Sequence, residues 1–290
     1  MRRLAFGYLL AALSVMGFAS TFVIGAELTK ACGVSPAVLS FLRFLVAGLA
    51  LLPLRPRLPR DGGEIAAVLW LGPVGTSLMA WFVFLGCARV SAANASMADA
   101  LTPLMIFAAA ALKSRRIDLR GIFGLACGFL GALLVIQVVH AGGVALEAYS
   151  EGDVYVLLAA ATWGVYTVWG RPLIVRIGSL AFTTWTMLAG AAAVGAFLPF
   201  ADAAWPSGAK AWTLVAGLGL VSTLLPFWTW NAAQKYLPMS ILGVTAYFTP
   251  VFAVAMASVF LGERATALQW AGTALVVVSA IVETKGSSRP

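Results

Sequence analysis

Charge is what this 290-residue sequence has least of: only 10% of it is Asp, Glu, Lys or Arg, against about 25% in an ordinary soluble domain. So small a polar complement cannot clothe a water-soluble fold, and a chain that is 61% hydrophobic needs lipid as its solvent. Histidine is nearly missing, with His140 alone near the end of an apolar run. Neither HExxH nor GxSxG occurs, which removes the basic kits of metalloprotease and serine-hydrolase chemistry and makes a membrane-embedded enzyme unexpected. No G-x-x-x-x-G-K-[ST] loop is present, so ATP-driven pumping has no engine within the chain. The cysteines Cys32, Cys87 and Cys127 are odd in number, far apart and without a CxxC, arguing against a disulfide framework or a metal site. No cofactor is expected. The net charge of +8 has no soluble basic face from which to meet nucleic acid, and no such partner is expected.

What is abundant is apolar sequence in helix-sized pieces. Runs bounded by charged or turn residues fall at 4–25, 36–54, 65–87, 92–112, 121–140, 153–170, 181–200, 211–231, 239–261 and 268–283. Each suits a hydrocarbon core of about 30 Å, which takes roughly 20 helical residues. The basic start, Met1-Arg2-Arg3, resembles a signal peptide, but the apolar stretch behind it is too long and has a counterpart later in the chain, so it reads as a retained first helix. With the N-terminus inside, fourteen Lys and Arg residues fall on the cytoplasmic side and only Lys30, Arg89, Lys210 and Arg264 outside, while Arg43 lies within a span. This bias is the one the positive-inside rule requires, and it puts both termini in the cytoplasm of a bacterial inner membrane.

The two halves also repeat. Leu71-Gly72, Trp81 and Thr102-Pro103 recur 147 residues later as Leu218-Gly219, Trp228 and Thr249-Pro250, and Leu9-Leu10-Ala11-Ala12 returns as Leu157-Leu158-Ala159-Ala160. Five spans per half is an odd number, so the second half must enter the bilayer from the opposite side. The expected fold is an all-α membrane protein: ten transmembrane helices as two inverted five-helix repeats, 1–142 and 143–290, around a central cavity.

These residues resemble a known family. Thr249-Pro250-Val251-Phe252, the following Leu261-Gly262-Glu263-Arg264, and Arg43-Phe44-Leu45 in the second run are similar to the drug/metabolite transporter superfamily, within it the EamA-type ten-helix exporters. The first half departs from the pattern, reading Lys113-Ser114-Arg115-Arg116 where Leu-Gly-Glu would stand. The run of aromatic side chains is similar to bacterial aromatic amino acid exporters. The resemblance implies export of small organic metabolites, amino acids and especially aromatic ones, by alternating access. Efflux of amphipathic drugs or toxic cations, or a facilitator channel, are the alternatives.

Ionisable groups at membrane depth are costly and are therefore candidates for function. Arg43 and Asp99 each lie about seven residues into a run that descends from outside, roughly 10 Å below the boundary at 1.5 Å per residue. As a pair they would hold a carboxylate and an ammonium or proton; the alternative is a structural ion pair or a snorkelling Arg. Trp163 and Tyr166 share a helix face near the midpoint of their run, deeper than an interfacial belt, and would stack on an aromatic substrate. Trp81, Trp185, Trp228, Tyr247 and Asn231 complete the expected substrate site, against the alternative of lipid-belt or core packing. Phe18, Trp169 and Trp230 are further aromatic candidates with the same two readings, while small polar residues in the runs, among them Thr21, Thr102, Thr223 and Thr249, have as their commoner role a bond back to their own helix. Pro103 and Pro250 remove backbone bonds at mid-depth and are the expected gates, or else static bends. Gly121, Gly124, Gly128 and Gly131 suit close helix packing within the protein. Partners are thus a small-molecule substrate and the lipid bilayer; a monomer is plausible, and the oligomeric state is not written in the sequence.

Overall fold

The computed structural model describes residues 2–89, 102–115 and 151–249, with isolated positions at 126, 129, 130, 139, 140, 143 and 144 and, further on, at 251, 252, 255, 256, 267, 271, 274, 275 and 278. Helix dominates them. α1 (Arg2–Ala26) runs on into a π-helical turn at Glu27–Ala31, and α2 (Pro36–Leu51) ends in a 3-10 turn at Leu52–Leu54. α3 (Gly62–Gly72) and α4 (Met79–Arg89) are one continuous rod joined by a π-helical stretch, Pro73–Leu78. Then come α5 (Thr102–Ser114), α6 (Glu151–Ile177) and α7 (Ser179–Phe197). α8 (Gly208–Gly219) and α9 (Leu225–Ala233) form a second rod through the π-helical stretch Leu220–Leu224, and α10 (Met239–Ala246) follows.

Local chemistry explains the boundaries. Ser35 caps α2, its hydroxyl accepting from Val38 N at 3.4 Å with Pro36 in the first turn. Asp61 caps α3, accepting from Glu64 N at 2.8 Å, so this helix starts three residues earlier than its apolar run. α6 departs further from expectation, continuing past residue 170 through Pro172 to Ile177. Pro172 has no N–H to give the Val168 carbonyl, and Lys113 Nζ supplies the missing donor at 2.9 Å. The link from α6 to α7 then shrinks to Gly178, whose φ of +91° is open to glycine at little cost. Val139 and His140, at the end of the fifth apolar run, are extended rather than helical and pair antiparallel with Val144 and Gly143.

Among the described residues five helices are long and apolar enough to cross a membrane: Arg3–Ala31, Pro36–Leu54, Gly62–Arg89, Ser179–Phe200 and Gly208–Ala233. α6 has the length, at 27 residues, but carries Thr162, Trp163, Tyr166, Thr167 and Trp169 where a lipid-facing helix would carry aliphatics. Most of the runs at 121–140 and 268–283, and all of 92–101, lie outside the described residues. Apolar side chains cover the outer surface as lipid requires: Leu69, Val175 and Val221 stay 61%, 69% and 54% exposed.

Inside, α2 packs on α7, α4 and α5 on α6, and α1 on α9. Without a hydrophobic force between helices in lipid, close approach is what holds them. A Cβ added to Gly72 would sit 2.7 Å from the Thr186 carbonyl, and one on Gly190 would overlap the hydroxyls of Thr76 and Ser77. Two of the three π-helical segments among the described residues begin at Pro73 and Leu220, the same 147-residue offset at which the sequence repeats. Each lies against the middle of an adjacent helix, Pro73–Leu78 on α7 and Leu220–Leu224 on α2.

Candidate functional site

The π-helical stretch Leu220–Leu224 builds the site. Pro226 has no N–H, so the carbonyl of Ser222, four residues back, loses its α-helical donor. Two side chains from the other half of the chain fill the vacancy: Thr21 Oγ1 donates to Ser222 O at 3.2 Å and Arg43 Nη2 donates to it at 3.2 Å. Arg43 Nε donates to Thr223 Oγ1 at 2.8 Å, while that hydroxyl donates to Leu218 O at 2.6 Å. Ser14 Oγ donates to Pro226 O at 2.9 Å and Ser20 Oγ lies 2.6 Å from Ser222 Oγ, so α1 is sewn along the whole bend.

Arg43 is 1% exposed, and among the described residues it has no carboxylate within 4 Å. Its guanidinium carbon sits 5.4 Å from the Phe84 ring centroid and 5.0 Å from that of Phe44. These contacts are modest compensation for a buried charge. A guanidinium has five N–H donors; the two bonds above leave three, and Arg43 lines a cavity where they can be met.

That cavity lies between α1, α2, α4, α5, α6, α9, α10 and the residues after it, and so draws on both halves. Its volume of about 60 Å³ admits only a handful of waters at ~10–15 Å³ each. Arg43, Thr21, Thr102 and Thr249 provide its polar wall. Phe18, Trp163 and Trp230 provide its aromatic wall, with Val15, Met79 and Val83 beside them. Trp163 stacks on Tyr166 with centroids 5.3 Å apart and takes edges from Phe18 at 5.2 Å and Phe227 at 5.0 Å. Offset and edge contacts of this kind hold each ring in one orientation.

Behind the rings runs a polar network. Asn231 Nδ2 donates to Tyr166 Oη at 3.0 Å and Thr183 Oγ1 at 2.8 Å, and Gln234 Nε2 donates to Asn231 Oδ1 at 3.1 Å. Tyr166 Oη lies 3.2 Å from Thr186 Oγ1, and Trp230 Nε1 donates to Thr167 Oγ1 at 3.3 Å. Tyr166 and Asn231, both fully buried, are therefore supports behind the cavity wall.

The other expected residues go elsewhere. Trp81 packs on Phe197, itself 43% exposed, at the periphery. Trp185 donates its indole N–H to Arg57 O at 2.9 Å, at the end of the bundle that bears the arginines. Trp228 is half-buried and turned from the cavity, and Tyr247 is buried in a separate cluster with Leu104, Phe107 and Phe248. Pro103 is buried in α5, its carbonyl 3.9 Å from where a Cβ on Gly243 would stand. Asp99 and Pro250 lie outside the described residues. Phe227 was not among the sequence candidates, and Trp230 was named there as an aromatic candidate but not placed in the expected site. Their spacing to Asn231 and Gln234 puts all four on one helix face, which was the available signal.

Both ends of the bundle are clamped. Glu64, 1% exposed, meets Arg57 at 3.3 Å and Arg176 at 3.1 Å and accepts from Arg60 N at 2.8 Å, while Asp61 also pairs with Arg176. At the opposite end Glu27 pairs with Lys210 at 2.6 Å and Arg89 with Glu151 at 3.7 Å. Among the described residues no three His, Cys, Asp or Glu gather as metal ligands.

The sequence profile of the EamA-like transporter family matches residues 5–137 and again 150–284. A probable terminal-alkyne amino-acid exporter from Streptantibioticus cattleyicolor is 30% identical over 260 residues, covering 86% of this chain and 84% of its own. An uncharacterized transporter from Archaeoglobus fulgidus is 26% identical over 171 residues, 57% of this chain and 58% of the relative. A protein of solved crystal structure superimposes with a TM-score of 0.76 over 96% of both chains at 23% identity, a likeness of fold.

Proposed function

Taking as premise that this chain belongs to the EamA-like transporter family, we propose that it exports amino acids, aromatic ones foremost, as a secondary transporter of the bacterial inner membrane. It is a multi-pass membrane transporter and not an enzyme, as the family and the exporter relative are. The proposed architecture is ten spans in two inverted halves, 1–142 and 143–290, with both termini cytoplasmic. The paired π-helical stretches and the double match of the family profile support it.

One observation carries the substrate reading. A buried guanidinium faces a cavity walled by aromatic rings, with hydroxyls of Thr21, Thr102 and Thr249 alongside. Arg43 would take the substrate carboxylate in a charge-assisted pair, Trp163 and Trp230 would take its ring, and Tyr166 and Asn231 would hold those rings in place. The Streptantibioticus relative is itself described as an amino-acid exporter, which agrees. Cation efflux is disfavoured, because among the described residues the cavity wall holds a fixed positive charge and no carboxylate.

The cavity is too small for an amino acid as it stands, and ion pairs join the helices at both ends of the bundle. Alternating access then means parting the Glu64 cluster for loading from the cytoplasm and the Glu27–Lys210 pair for release. Because Arg43 also holds the carbonyl freed by Pro226, a carboxylate that draws the guanidinium away loosens the bend between α8 and α9. Binding would thus be coupled to helix movement. The test is intracellular phenylalanine and tyrosine in cells lacking and overproducing the protein. Overproduction lowers both; raised uptake, or no change in any amino acid, overturns the reading.

A further inference from the structure

A second cleft lies apart from the central cavity, at the arginine-bearing end of the bundle. It has a volume of about 700 Å³ and is open to the surroundings between the ends of α5 and α6 and the start of α10. Its floor and flank are apolar, formed by Val168, Val175 and Met239, and Val175 is 69% exposed. Two cations stand at it, Lys113 in the last turn of α5 and Arg171 near the end of α6.

Both cations are already placed by the fold. Lys113 Nζ donates to the Val168 carbonyl freed by Pro172 and lies 5.6 Å from the Trp169 ring, and Arg171 Nη2 donates to Leu237 O at 3.4 Å. Among the described residues neither has a carboxylate within 4 Å. Two ordered positive charges over an apolar furrow at the membrane boundary match a ligand with an anionic head and hydrocarbon tails.

We propose that this cleft is a binding site for one anionic phospholipid of the cytoplasmic leaflet, its phosphate held between Lys113 and Arg171 and an acyl chain lying along Val168, Val175 and Met239. Basic pockets between helices on this side of a bilayer suit acidic head groups, and each cation near the surface strengthens the attraction. Free phosphate shares the head-group chemistry but makes no use of the furrow.

The test is native mass spectrometry of the detergent-purified full chain titrated with phosphatidylglycerol, or with phosphatidylcholine of the same acyl chains, each with and without excess inorganic phosphate. One phosphatidylglycerol should be retained in preference to phosphatidylcholine, and phosphate should not displace it. The double variant Lys113→Gln/Arg171→Gln should bind phosphatidylglycerol roughly thirty-fold more weakly and phosphatidylcholine unchanged. If the double variant does not fold, each single variant should show a loss of about five-fold. Equal retention of the two lipids, full displacement by phosphate, or undiminished phosphatidylglycerol binding by folded variants would each overturn the proposal.

Discussion

Replacing Arg43 with methionine separates binding from folding because of how the site is built. The substitution keeps length and apolar bulk but deletes the guanidinium. Ser222 O still accepts from Thr21 Oγ1, and Thr223 Oγ1 still donates to Leu218 O, so neither backbone group at the bend is orphaned. Removing a buried charge that has no carboxylate beside it among the described residues also relieves a desolvation penalty. The melting temperature of Arg43→Met should therefore equal or exceed that of the wild type. Transport should suffer instead. A hydrogen bond to a charged group is worth about 1.5–3 kcal/mol, so losing the carboxylate anchor lowers transport efficiency roughly 10- to 150-fold. Counterflow of labelled phenylalanine in proteoliposomes measures this, and its methyl ester supplies the internal control. The wild type should favour the free acid and Arg43→Met should not. Arg43→Lys, which restores the charge without the planar fork, should recover only part of the rate. A folded Arg43→Met protein with wild-type counterflow and intact discrimination against the ester would refute the assignment.

The aromatic wall predicts selectivity: Trp163→Leu loses the stack on Tyr166 and the edges of Phe18 and Phe227. At about 1 kcal/mol for such ring contacts, phenylalanine counterflow should weaken about five-fold while that of valine changes little. Gly190→Ala forces a methyl into Thr76 and Ser77 and should destabilise by about 1–3 kcal/mol, read as a lower melting temperature; Gly217→Ala, with nothing within 4 Å of the new atom, should be silent. In a chain whose three cysteines are replaced by serine, single cysteines at Arg60 and Arg115 should react with an impermeant maleimide only from the cytoplasm and one at Lys30 only from outside. The opposite pattern would invert the topology, and a split between 60 and 115 would break the span count.

Where several helices begin and end was legible in the sequence. The ends of the apolar runs locate α1, α2 and α7 to within a few residues, since lipid sets their length. The same ruler put Arg43 about 10 Å below the boundary and Trp163 near the midpoint of its run, and both line the cavity. Direction around the helix axis was not legible. Trp228 was chosen from the α9 region, yet Phe227 and Trp230 face inward. Trp185 was expected at the substrate and instead anchors the chain at Arg57.

Composition alone thus determined the solvent and the helical class, because hydrocarbon tolerates only satisfied backbones and few charges. Only the tertiary structure decided which aromatics meet the cavity and what Arg43 touches. In water an apolar face marks the interior, but in a bilayer the lipid outside is as apolar as the packed helices inside, so hydrophobic contrast carries no bearing. The freed Ser222 carbonyl and the arginine that reaches it are 179 residues apart in sequence, and only their meeting in space shows what Pro226 is for.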